Sequence, residues 1–197
     1  MENKEKMPEW DLSEYYNGVD DPKVGEDLNA YADKAAAFAA KYRGKVAGLD
    51  GAAFVAALKE LEEMSRIASK LGGYASLNSS THLTDAKASA LYQRVVEGLN
   101  DAGKDLLFFA LEYNKLDKAA EEKLLADEQV RFYLPYLKRV RKFKPYEPSE
   151  EVEKTLLEKD VTSGSACVRL YEEFSAKRSS SSGSRALLAQ YLIFSTP

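Results

Sequence analysis

A chain of 197 residues with a formal charge of −4 suits one large domain or two small ones, and its apolar content suffices to bury a core. No apolar run approaches the roughly 20 residues that span a bilayer, so no membrane is expected, and the mild acidic balance gives no field that gathers nucleic acid. Cys167 is the only cysteine, which excludes an internal disulfide. Met1 to Trp10 is charged and lacks the apolar centre of a secretory signal, so cytoplasmic residence is the expectation.

The pattern along the chain is helical throughout. Glu9-Trp10-Asp11-Leu12-Ser13-Glu14-Tyr15-Tyr16 is expected to pack onto a body by its rings. Asp21 and Pro22 read as the cap and first residue of a helix running to Tyr42, with Leu28, Tyr31, Ala35, Phe38 and Tyr42 on one face and Gly44 as its stop. Asp50 opens a second helix to about Asn78, on the stripe Phe54, Leu58, Leu61, Met64, Leu71 and Tyr74. Gly72-Gly73 fits a close helix crossing or a kink, and the kink is the plainer expectation. Thr84 is expected to cap a third helix that carries on to Tyr113, about 45 Å at 1.5 Å per residue, with Gly98 and Gly103 as tolerated interruptions. Asp117 caps a short fourth helix and Asp127 starts the next; Pro135 fits either a first turn or a kink.

Arg131 to Lys159 is the most distinctive stretch. An aromatic helix leads to a basic, proline-marked corner, Arg141-Lys142-Phe143-Lys144-Pro145-Tyr146-Glu147-Pro148. A helix then starts at Ser149, expected to bury Val152 and Leu156 with Leu157 beside them. After Thr162-Ser163-Gly164 a final helix carries Cys167, Leu170, Tyr171 and Phe174 as an apolar face, with Cys167 expected in the core. Arg178 to Ser184 is low-complexity and flexible by composition. Ala186 to Phe194 is a short apolar run that reads as a frameshift product, a cloning artefact or a docking peptide. No segment alternates with period two for long. The fold class expected is therefore all-α, an elongated bundle of long antiparallel helices without a substantial sheet. The divisions expected are 1–115, 116–178 and a tail over 179–197.

No complete active site is visible. His82 is the sole histidine, so HExxH cannot occur here, and it reads as a surface loop residue. Cys167 has no visible base partner. Adjacent carboxylates such as Glu62-Glu63 and Glu150-Glu151 do not face one another on a helix. No phosphate-cradling glycine loop is present. No catalytic residue and no metal ligand is therefore assigned.

Several words in register resemble the oligoendopeptidase F family of zinc metallopeptidases. They are Trp10-Asp11-Leu12-Ser13 with Tyr15-Tyr16, Phe38 through Tyr42-Arg43-Gly44-Lys45, Leu71-Gly72-Gly73-Tyr74-Ala75, Leu137 to Lys159, and Thr162-Ser163-Gly164 followed by Arg169-Leu170-Tyr171-Glu172-Glu173. The resemblance covers roughly Glu9 to Phe174. Pro148 and Cys167 depart from the family's pattern. The family is much longer, and its HExxH helix and glutamate ligand lie beyond the resemblance. What the resemblance implies is a non-catalytic N-terminal portion that forms one wall of a channel for short peptides. Zinc belongs to the full-length family, and this chain is expected to hold no cofactor and to be inactive alone. The implied partners are short peptides and the missing catalytic lobe, with self-association through exposed apolar surface. For substrate, Arg139, Lys142 and Lys144 are the candidates to attract a carboxylate and Tyr146 to line the channel. The bland alternative is that these cations pair with glutamates of neighbouring helices while the tyrosine packs. A stand-alone helical binding module is the competing function.

Overall fold

Pro22 has no backbone N–H to satisfy and Asp21 offers an acceptor, and together they start the first helix. In the computed structural model, which describes residues 11–181, α1 runs Pro22–Tyr42 and the Asp21 carboxylate accepts from the Lys23 N–H. Gly44 ends it at φ 75°, a left-handed conformation that costs residues with a Cβ about 1–2 kcal/mol. The Gly44 and Val46 amides then donate to the Glu112 carboxylate, at 2.7 and 3.3 Å. Asp50 caps α2, Gly51–Thr81, which is about 46 Å long at 1.5 Å per residue. Lys34 pairs with Glu63 and Lys41 with Glu60, an order that fixes α1 and α2 as antiparallel.

The third helix departs from expectation at both ends. Asp85, not Thr84, is its cap: the Asp85 carboxylate accepts from the Lys87 N–H at 2.8 Å. It stops at Gly103, so α3 is Ala86–Gly103 and α4 is Leu107–Lys115. Between them the Asp105 and Leu106 amides donate to the carbonyls three residues back, a tight turn that ends the long helix. The break has a purpose in packing, because it turns Phe108, Phe109 and Tyr113 all into the core. Gly98 is more than an interruption. A Cβ there would lie 2.8 Å from Leu28 Cδ2, so its absence lets α3 approach α1. At Gly72-Gly73 the helical pattern continues unbroken through α2.

The main core is a cluster of rings. Phe38, Phe54, Phe108 and Phe109 are each at most 2% exposed. Phe109 stacks on Phe54 at 5.5 Å and lies 5.6 Å from Phe38, joining α1, α2 and α4. A second cluster gathers Tyr16, Val24, Leu71, Tyr74, Leu91 and Val95. Tyr16 does anchor the N-terminal aromatic segment: its ring sits edge-on to Tyr74 at 4.9 Å and its hydroxyl donates to Asp27. Trp10 lies outside the described residues.

Three further caps, two aspartates and a serine, and one first-turn proline shape the rest. Asp117 opens α5, Lys118–Leu125; Asp127 opens α6, Glu128–Phe132; Pro135 occupies the first turn of α7, Leu134–Phe143; Ser149 opens α8, Glu150–Thr162. Leu124, Val130 and Leu137 join the same apolar cluster as Phe38 and Phe54. The last helix, α9, runs Gly164–Ser181, so Arg178 to Ser181 is helical where a flexible stretch was expected. The remainder of the serine run and Ala186 to Phe194 lie outside the described residues. Among the described residues there is no strand, and the fold is all-α.

The expected burial on the last two helices is corrected. Val152 and Leu156 are exposed, and so are Cys167, Leu170, Tyr171 and Phe174. The reason is how these helices attach. Polar contacts join them to the body: Arg43 bonds Glu150, Lys104 bonds Glu158 at 2.7 Å, and Arg169 bonds Gln93. The apolar faces consequently stay open.

Candidate functional site

The basic corner is built on a buried polar anchor. Arg141, near the end of α7, directs its guanidinium inward while Lys142 and Lys144 stay exposed. Arg141 Nη1 donates to the carbonyls of Asn114 (2.7 Å) and Leu116 (3.3 Å), and Nε to Glu121 Oε1 at 3.2 Å. Its Nη2 lies 3.0 Å from Glu121 Oε2, an ion pair without hydrogen-bond alignment. The guanidinium also covers the Tyr113 ring, 4.9 Å from its centroid, and the Tyr113 hydroxyl donates to the same Glu121 at 2.7 Å. Burial acts to raise the Glu121 carboxyl, but the hydrogen bonds from Tyr113 and Arg141 outweigh it and hold the group below the usual carboxylate range. Burial and the neighbouring Glu121 push the Tyr113 phenol up.

Asn114 completes the anchor. It is 1% exposed, and its Nδ2 donates to the Val140 carbonyl at 3.2 Å and to the Glu147 carboxylate. The last turn of α7 and Glu147 are thereby tied to α4. Lys144 to Tyr146 form a 3-10 turn between them, with Pro145 in it. A chain so pinned on both sides presents the side chains of the turn outward.

The four predicted site residues sit on this corner with their charged or polar ends in solvent. Arg139 and Lys142 are three residues apart on α7 and so share one side of it. The Arg139 guanidinium lies 5.9 Å from the Tyr136 ring centroid. Among the described residues no carboxylate forms an ion pair with Arg139, Lys142 or Lys144, although Lys144 adds to the field at Glu121. Tyr146 is 81% exposed, and with Phe143 it lines a hollow of about 270 Å³. Leu107, Ala110 and Leu111 of α4 form the rest of its apolar lining, and Glu147 and Glu153 are its charged groups. Sequence reasoning named Tyr146 but missed the α4 side of the hollow and both carboxylates. The one signal was Asn114, a polar residue three positions after Leu111 and so on the same side of α4.

The described residues do not fit a zinc centre. No group of three or more His, Cys, Asp or Glu among them is placed to hold a metal ion. His82 ends α2 as its cap, exposed, with Nδ1 3.0 Å from the Asn78 carbonyl oxygen. No helix among the described residues is long and apolar enough to cross a membrane.

Residues 112–178 match the family model described as oligopeptidase F. The matched segment starts on α4 and ends within α9, so it holds the whole corner and about a third of the chain. That match supports a relation to the N-terminal portion of an oligoendopeptidase F-like protein, over a narrower span than the sequence resemblance. No curated protein and no solved structure matches the chain.

Proposed function

We propose, from the oligopeptidase F relation of residues 112–178, that this chain is the non-catalytic side of a peptide channel, with the basic corner as its peptide-holding surface. The observation that carries the reading is the state of the corner's cations. Arg141 is consumed by the fold, whereas Arg139 and Lys142 have no ion-pair partner among the described residues and stand in solvent beside exposed rings. That arrangement suits a flexible peptide, whose C-terminal carboxylate meets the cations and whose side chains lie on Tyr146 and Phe143. Zinc in the full-length family supplies the chemistry of peptide hydrolysis, and the part proposed for this chain is to hold the peptide.

Binding through solvent-exposed cations is weak and sensitive to salt, since the Debye length falls from about 10 Å at 0.1 M to about 3 Å at 1 M. Charge reversal at Lys142 and Lys144 together is expected to weaken binding of a fluorescently labelled short peptide by about tenfold, from about 0.2–1 kcal/mol per lost pair and the added repulsion. Fluorescence anisotropy measures it. Equal affinity for the reversed variant, with unchanged far-UV circular dichroism, overturns the reading.

A second reading, a stand-alone binding module, is favoured by one observation. Val152, Leu156, Val168, Leu170 and Tyr171 are each between 46% and 69% exposed on the last two helices. Exposed apolar side chains mark a docking surface where they gather into one patch.

A further inference from the structure

We propose that the hollow between α4, the corner and α8 is a subsite for one arginine or lysine side chain of a bound peptide. The proposal rests on the reading that the corner holds peptides, and it names what the hollow selects. Its two charged lining groups, Glu147 and Glu153, are both carboxylates, so the hollow favours a cation although the neighbouring corner is basic.

The apolar part of the lining fits the rest of such a side chain. Arginine and lysine bury an aliphatic stem while keeping the charged head near water, and Leu107, Ala110 and Leu111 offer a surface for that stem. Phe143 and Tyr146 supply aromatic rings on which the charged head can stack. The volume, about 270 Å³, admits a side chain rather than a whole peptide.

The carboxylates are available. Glu147 is held in place by the Asn114 amide, which leaves its negative charge without a cation. Glu153 has no ion pair among the described residues, because Arg43 and Lys154 both pair with Glu150. Arginine is preferred over lysine, since its planar group stacks on a ring and reaches two carboxylates at once. Two signs of charge side by side then set the polarity of a peptide: its carboxylate toward Lys142 and Lys144, a basic side chain in the hollow.

The test is a titration of the ¹⁵N-labelled full chain with N-acetyl-argininamide and with its citrulline counterpart, which keeps the shape and removes the charge. Expected are amide shifts in residues 107–111 and 143–153, and about fivefold weaker binding of the citrulline compound, one ion pair's worth at a surface. Glu153→Gln is expected to remove most of that difference, and Ala110→Leu, which fills the hollow without touching charge, to abolish the shifts. Equal binding of the two probes, or shifts elsewhere on the chain, overturns the proposal. If argininamide behaves as expected while reversal of Lys142 and Lys144 leaves peptide affinity unchanged, the subsite stands and the peptide reading of the basic corner falls. If the lysines matter and citrulline binds as well as arginine, the subsite falls alone.

Discussion

Replacing Phe109 with alanine is expected to lower folding stability by about 3–5 kcal/mol. Phe109 is 2% exposed and is the ring at which α1, α2 and α4 meet, stacked on Phe54 and tilted against Phe38. Truncation removes the transfer energy of the ring and leaves a cavity between three helices that α1 and α2, tied along their length by ion pairs, cannot easily close. Native domains are stable by only about 5–15 kcal/mol, so the variant approaches unfolding at ambient temperature. Urea denaturation followed by circular dichroism measures the loss. Phe132→Ala is the control: that ring is 78% exposed, and a change within about 0.5 kcal/mol is expected. A loss below about 1 kcal/mol at Phe109 contradicts the ring-centred core.

Arg141→Met is expected to cost about 2–3 kcal/mol at neutral pH, well beyond the effect of any other corner cation. Both side chains of the Arg141–Glu121 pair are more than three-quarters buried, so removal of the guanidinium strands a carboxylate and two backbone carbonyls. The pH dependence follows from the sign of the Glu121 shift. Its folded value lies below the unfolded one of about 4.3, so the contribution is complete above that value and is lost as pH falls through the lower folded one. The stability gap between the native chain and Arg141→Met should therefore be flat from pH 6 to about pH 5 and shrink as acid protonates Glu121. Urea midpoints at several pH values read it. A gap that stays constant to low pH places the loss in packing on Tyr113 instead of in the ion pair.

The contrast between Arg141 and its neighbours shows where sequence reading runs out. Lys142, Lys144 and Arg141 are indistinguishable as a basic run, yet one is an internal strut and the others face solvent. Only the buried Glu121, twenty residues earlier, separates them, and no local pattern announces that pairing. Where the signal was local it was legible. Asp21 with Pro22, Asp50, Asp117 and Ser149 start helices because caps act within three residues. Gly44 stops one because its left-handed φ is a property of a single residue.

The misreadings share a cause as well. The apolar spacing of Leu106, Phe109 and Tyr113 continues that of α3, so periodicity runs straight through the turn at Lys104. What breaks the helix is the gain from bringing Phe108 and Phe109 together under Phe38, a tertiary effect. Val152 and Leu156 on α8 and Leu170 on α9 follow helical apolar spacing, yet the described residues leave them exposed. Periodicity says that a face is apolar, not what covers it. The hollow was unreadable for the same reason, since Leu111, Tyr146 and Glu153 come from three elements that only the fold brings together.

The most direct test of a peptide-holding, non-catalytic chain is to incubate the purified protein with a short labelled peptide that carries one arginine. Anisotropy then follows binding, mass spectrometry the peptide's integrity, and elemental analysis the metal content. Expected are saturable, salt-sensitive binding, the peptide recovered whole, and no stoichiometric zinc. Cleavage that co-purifies with the chain and disappears on addition of a chelator contradicts it.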